Sequence, residues 1–169
     1  LRLIQDKFGR IPRPARTGDM KIWPTYTEEP VQDGERSVTL RRVGDVGWVM
    51  AGWHIPAGSD ADFPAVAVLG RILGDTPSGR LYKALVESHI AAQEYVSAFQ
   101  LREPGLLLAS AQLTAPDSAA AATAAIQATE AGFAGTPPTA EEVDRAKAAI
   151  LKNIDLTLNN SQRAALGLT

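Results

Sequence analysis

The stretch from Gly70 to Phe99, GRILGDTPSGRLYKALVESHIAAQEYVSAF, constrains the fold most, because it runs two helices and a strand together with little linker between them. An apolar helix ends near Gly74. After a turn, Leu81 with Leu85 and Tyr82 with Val86 stand four apart, which predicts a second, amphipathic helix over about 78–88. A strand is expected from Tyr95 to Leu101. Upstream, Val38 and Leu40 alternate with Thr39 and Arg41, which predicts a half-buried strand from Glu35. Gly44 and Asp45 make a turn, and VGWVMAGWHI over 46–55 predicts a more deeply buried strand. The two are expected to pair as an antiparallel hairpin.

Pro56 to Ser59 ends that strand, and Ser59 with Asp62 predicts a capping-box start for a helix showing Phe63, Val66, Ala67, Leu69, Ile72 and Leu73 to the core. Pro64 is tolerated there because it falls in the first turn. Downstream, the turn Arg102-Glu-Pro-Gly predicts a hairpin between Tyr95–Leu101 and Leu106–Leu113. Asp117 or Ser118 is expected to cap an alanine-rich helix reaching about Ala131. Thr139 and Glu142 form a second capping box, opening a long helix whose stripe is Val143, Ala146, Ile150, Ile154 and Leu158. The order ββααββαα predicts an α+β fold, a two-layer sandwich of a mainly antiparallel sheet with helices on one face.

The flanks are of a different kind. Leu1, Ile4 and Phe8 at helical spacing, followed by Gly9, read as the last turns of a helix that starts earlier. Residues 9–34 hold Pro12, Pro14, Pro24 and Pro30 and read as an interdomain linker, which Trp23 and Tyr26 are expected to pin to a surface. The expected organisation is therefore residues 1–8 from a preceding domain, 9–34 as linker and 35–169 as one domain, cut at both ends. The chain opens on Leu1 rather than Met, as a processed or excised piece does, so its compartment is left open.

With 45% hydrophobic and 21% charged residues among 169, the composition is that of a soluble globular domain. The net charge of -2 provides no field for nucleic acid or anionic membrane. Arg36, Arg41 and Arg42 lack interleaved aromatic rings and read as a solvated face. No run is long enough to span a membrane. With no cysteine, thiolate nucleophiles, disulfides and cysteine zinc sites are excluded. Of the two histidines, His54 has only Asp60 and Asp62 near it in sequence, and His89 has no acidic partner four residues away. Neither H-E-x-x-H nor H-x-x-E-H occurs. Ser78, in TPSGR, lacks the nucleophile-elbow pattern, and Gly70, Gly74 and Gly79 fit no phosphate-binding loop. Arg80 and Lys83 stand out, because cations near a helix start oppose the helix dipole. Two readings stand equally open: they meet a carboxylate or a neighbouring domain, or they are ordinary solvated cations.

LGDTPSGRLYKALVE, YVSAF, REPGLLLASAQL and TAEEVDRAKAAILKNI, in this order, resemble the pitrilysin/insulinase family of zinc peptidases over essentially the whole chain. KFGRIPRP resembles the close of that family's preceding domain. The resemblance implies a fold like the mitochondrial-processing-peptidase metallopeptidase domain, repeated in two halves that close around a peptide chamber. It places zinc in a catalytic domain upstream, on an H-x-x-E-H helix and a distal Glu, and makes this piece the second, non-catalytic domain with no catalytic, metal or cofactor residues of its own. Its expected partners are that catalytic domain, the other half of the parent or a partner chain, and peptide substrate. Arg80, Lys83 and Tyr95 are the candidates for substrate or interdomain contact. Some relatives carry an Arg and a Tyr that hold substrate; the matching positions here are Val86 and the neighbourhood of Glu94, so that pair is not carried over. The alternative is an inactive relative serving as an assembly subunit for an active chain. A small-molecule binder would need a closed apolar pocket, and no sequence feature indicates one.

Overall fold

The computed structural model describes residues 2–12 and 32–167. Trp23 and Tyr26, expected to pin the linker, lie outside the described residues. Two compact units divide at Arg41/Arg42. In the first, helix α1 (Arg2–Phe8) presents Leu3, Ile4 and Phe8 to solvent. The Gly9 N–H donates to the Gln5 carbonyl at 2.9 Å, which closes the last turn.

The second unit holds a three-stranded antiparallel sheet. Its strands are β1 (Trp48–Ile55), β2 (Ala91–Ala98) and β3 (Gly105–Leu113), in the order β1-β3-β2. The hairpin expected around Pro104-Gly105 forms, with its first strand beginning four residues earlier than the alternation suggested. The hairpin expected between residues 35–43 and 46–55 does not form. Residues 35–47 are irregular, and Val38 and Leu40 are 82% and 78% exposed. β1 instead pairs with β3, from Trp48↔Gln112 to Ile55↔Gly105. Alternation specifies which side chains share a face; a strand also needs a ladder partner, and β1 takes a distant one.

The register sorts side chains into two faces. Val49, Ala51, Trp53 and Ile55 of β1, Leu107, Ala109, Ala111 and Leu113 of β3, and Glu94, Val96 and Ala98 of β2 face the helices. Over them lie α2 (Phe63–Gly74), a π-helical segment (Tyr82–Glu87) and α3 (Ala119–Gly135), with α4 (Ala140–Leu158) packed on α2. Short α5 (Ser161–Gly167), not expected from the pattern, closes the described chain. The core is Ile55, Phe63, Leu73, Leu81, Leu85, Leu107, Leu113 and Ile126 around a column of buried alanines. Each large aliphatic buried there contributes about 1.5–3 kcal/mol.

Helix starts separate local from tertiary control. The Thr139 capping box forms: its hydroxyl accepts from Glu142 N–H at 3.2 Å, and the Glu142 carboxylate accepts from Thr139 N–H at 2.8 Å. The Ser59 capping box does not form. Asp62 is the N-cap of α2 without a side-chain cap bond, and the Asp60 carboxylate accepts the Asp62 N–H at 2.9 Å in an Asx turn that leads into the helix. Neither Asp117 nor Ser118 caps α3 with its side chain; a 3₁₀ turn (Pro116–Ser118) leads in. Along α4 the apolar stripe is used only in its first half. Ala146 is buried, and Ile154 and Leu158 are exposed, because α2 covers only the start of that helix.

The turn after α2 depends on close backbone approach. A Cβ added at Gly79 would lie 2.6 Å from the Leu73 carbonyl oxygen and 2.7 Å from that of Asp75. Gly79→Ala is therefore expected to cost about 2–3 kcal/mol, a fall of about 5–10 °C in thermal midpoint for a chain of this size, readable by circular dichroism. An unchanged midpoint would show that the turn relaxes freely.

Candidate contact site on the sheet and at Arg80

Arg80 leaves the α2 turn and reaches across to the α3–α4 loop. Its Nε donates to Glu142 Oε1 at 2.9 Å and its Nη2 to Glu142 Oε2 at 2.8 Å, a bidentate pair. Nη1 donates to the Thr136 carbonyl at 2.7 Å and Nη2 to that of Pro137 at 3.2 Å. The guanidinium also stacks on Phe133, 4.5 Å from the ring centroid. Glu142 thus accepts from Arg80 and from its own helix cap, and these bonds hold its carboxyl down at about 2. The bond to Glu142 raises the Arg80 pKa further. The carboxylate that Arg80 meets belongs to this same unit.

Lys83, on the π-helical segment, is exposed and makes no side-chain hydrogen bond or ion pair with a described residue. Tyr95 stands on the opposite face of the sheet, away from the helices, and is 54% exposed. Its hydroxyl donates to Gln93 Oε1 at 2.8 Å. Three cross-strand rows surround it: Trp48, Gln112 and Gln93; Met50, Ser110 and Tyr95; Gly52, Leu108 and Ser97. Trp48, Met50 and Leu106 are exposed on this face. It is an exposed surface of mixed polarity. Arg80 and Tyr95 therefore belong to different sides of the sheet and form no common site.

Glu94 is the group that sequence reasoning passed over. On β2 it faces the helices beside fully buried Ala111, is 7% exposed, and neither carboxylate oxygen has a hydrogen-bond partner among the described residues. Burial pushes its pKa up to about 7. A signal was present in the pattern: with Val96 and Ala98 inward, position 94 faces inward as well.

The donor set does not fit zinc. Among the described residues, no group of three or more His, Asp or Glu side chains could hold a metal ion. His89 takes the left-handed position after the π-helical segment, with φ 63°. Its carbonyl accepts from the Thr114 hydroxyl at 2.9 Å, a structural role. Among the described residues, no helix is long and apolar enough to cross a membrane.

A helix-covered antiparallel sheet defines a two-layer α+β domain. The chain belongs to the peptidase M16 inactive-domain family, whose family model matches residues 1–150. It is 34% identical over 93 residues to the zinc protease PqqE of Helicobacter pylori, a match over 53% of this chain and 21% of that protein. The inactive peptidase domain of a zinc-protease candidate from Bordetella parapertussis superposes with a TM-score of 0.68 at 33% identity, over 78% of this chain and 72% of that one. A protease from Helicobacter pylori superposes with a TM-score of 0.84 at 25% identity, over 97% of this chain and 40% of that one. The chain thus spans about a fifth of the curated relative. It is a non-catalytic domain of zinc-protease type.

Proposed function

We propose that this domain supports a zinc-bearing catalytic domain and walls its peptide chamber with the open face of the sheet. The observation that carries this reading is the exposed sheet face around Tyr95, Met50 and Trp48. Extended peptide would lie on that face or along the outer edge of β1, which has no ladder partner among the described residues. Residues 1–8 would close the catalytic domain, 9–34 would link the two, and Lys83, exposed on the helical side, would meet a neighbouring domain. The zinc and its activated water belong upstream, since H-x-x-E-H is absent here.

The chain by itself is expected to leave a fluorogenic peptide intact with or without added zinc; chelator-sensitive cleavage would overturn the non-catalytic reading. In the complete protein, Tyr95→Ala is expected to raise KM about three- to tenfold with kcat unchanged, the pattern of lost substrate binding. An unchanged KM would remove the sheet face from the chamber wall.

A further inference from the structure

On the helical side of the sheet, α2 and α3 stand apart over β1 and β3 and leave an apolar cavity of about 300 Å³. Leu107 and Leu73 are among its apolar walls; Val66 and Leu69 of α2 and Phe133 of α3 line it from either side. Its volume is at the lower end for ligand pockets, which suits one bulky side chain better than a cofactor. Apolar walls with so few polar partners do not hold ordered water well.

Glu130 and His54 are the titratable residues of the lining. Glu130 of α3 is exposed, and its Oε1 accepts from the Trp53 indole Nε1 at 2.9 Å. Trp53 is its sole described partner, so Oε2 remains open to a cation. Arg80 reaches Phe133, but its charge is matched by Glu142. The lining is therefore mainly apolar, with the Glu130 carboxylate at it.

From this charge complementarity we infer that the cavity is a docking site for a protein segment that inserts a phenylalanine or leucine side chain and places an adjacent lysine or arginine on Glu130. The ammonium or guanidinium adds a charge-assisted hydrogen bond at Oε2, and the apolar side chain covers the half-buried Val66 and Leu69. The cavity lies across the sheet from the open face around Tyr95, so this docking is separate from chamber-wall binding, and either can fail alone.

The Trp53 indole N–H is a built-in reporter, assigned by Trp53→Phe in nitrogen-15 correlation spectra of the 169-residue chain. An acetylated, amidated Ala-Phe-Lys-Ala peptide at millimolar concentration is expected to shift that resonance saturably. The Ala-Phe-Glu-Ala peptide is expected to bind at least about fivefold more weakly, and Ala-Ser-Lys-Ala to leave the resonance unmoved. Glu130→Gln should bring the lysine and glutamate peptides within about twofold of each other. Val66→Phe, which fills the cavity, should block both while the rest of the spectrum stays dispersed. A silent indole, equal affinity for the two phenylalanine peptides in the unsubstituted chain, or a response to the serine peptide as strong as to the phenylalanine one would each overturn the proposal.

Discussion

Glu94→Gln is expected to stabilise the chain by about 3 kcal/mol at pH 8 and to change its stability by less than about 0.5 kcal/mol at pH 4. The carboxyl is buried with no hydrogen-bond partner among the described residues, and burial pushes its pKa from 4.5 up to about 7. Below pH 4.5 it is protonated in both folded and unfolded chains, so nothing is lost. Between 4.5 and 7 the unfolded chain releases its proton and the folded chain retains it, so stability falls as pH rises. Above 7 both forms are ionised and the whole penalty is present. Glutamine has the neutral shape of the protonated acid and no proton to lose, which removes the slope. Urea unfolding at several pH values measures it. Parallel pH profiles for parent and variant would mean that the folded-state carboxylate is solvated after all.

Arg80→Ala should destabilise the chain by about 2–4 kcal/mol at pH 7. The substitution leaves a part-buried Glu142 carboxylate without its fork and removes the donor from the Thr136 and Pro137 carbonyls. The pH dependence runs opposite to that of Glu94. Glu142 titrates near 2 in the folded chain, so the pair's contribution is fully present above 4.5 and is lost as pH falls through 2. The penalty of Arg80→Ala should therefore shrink at pH 2. Arg80→Lys should recover less than half of the loss, because an ammonium cannot span both oxygens and the loop carbonyls. A double-mutant cycle with Glu142→Gln isolates the pair; a coupling near zero would show that the guanidinium stabilises only through Phe133 and the carbonyls.

Much of this architecture was legible residue by residue. The Thr139–Glu142 box reads correctly because all its bonds lie within one helical turn. The β2–β3 hairpin reads correctly because a Pro-Gly turn fixes a partner next in sequence. Residues 35–43 show that alternation alone makes no strand: SVTLRRV alternates as well as any strand in the chain, yet no described ladder forms on it. Arg80 was conspicuous as a cation placed against a helix dipole, but its carboxylate lies 62 residues further on. Glu94 falls one residue before the strand expected from Tyr95, and only the earlier start of β2 at Ala91 places it in the sheet.

Local chemistry, then, decided where helices begin, where the chain turns, and that zinc-binding motifs are absent, because each depends on a few neighbouring residues. Packing decided the rest. That Arg80 is a latch within the unit, that Glu94 is an orphan carboxyl, and that α2 and α3 part to leave a cavity beside Glu130 all depend on distances between residues far apart in the chain. Those distances exist only once α2 and α3 settle on a shared sheet.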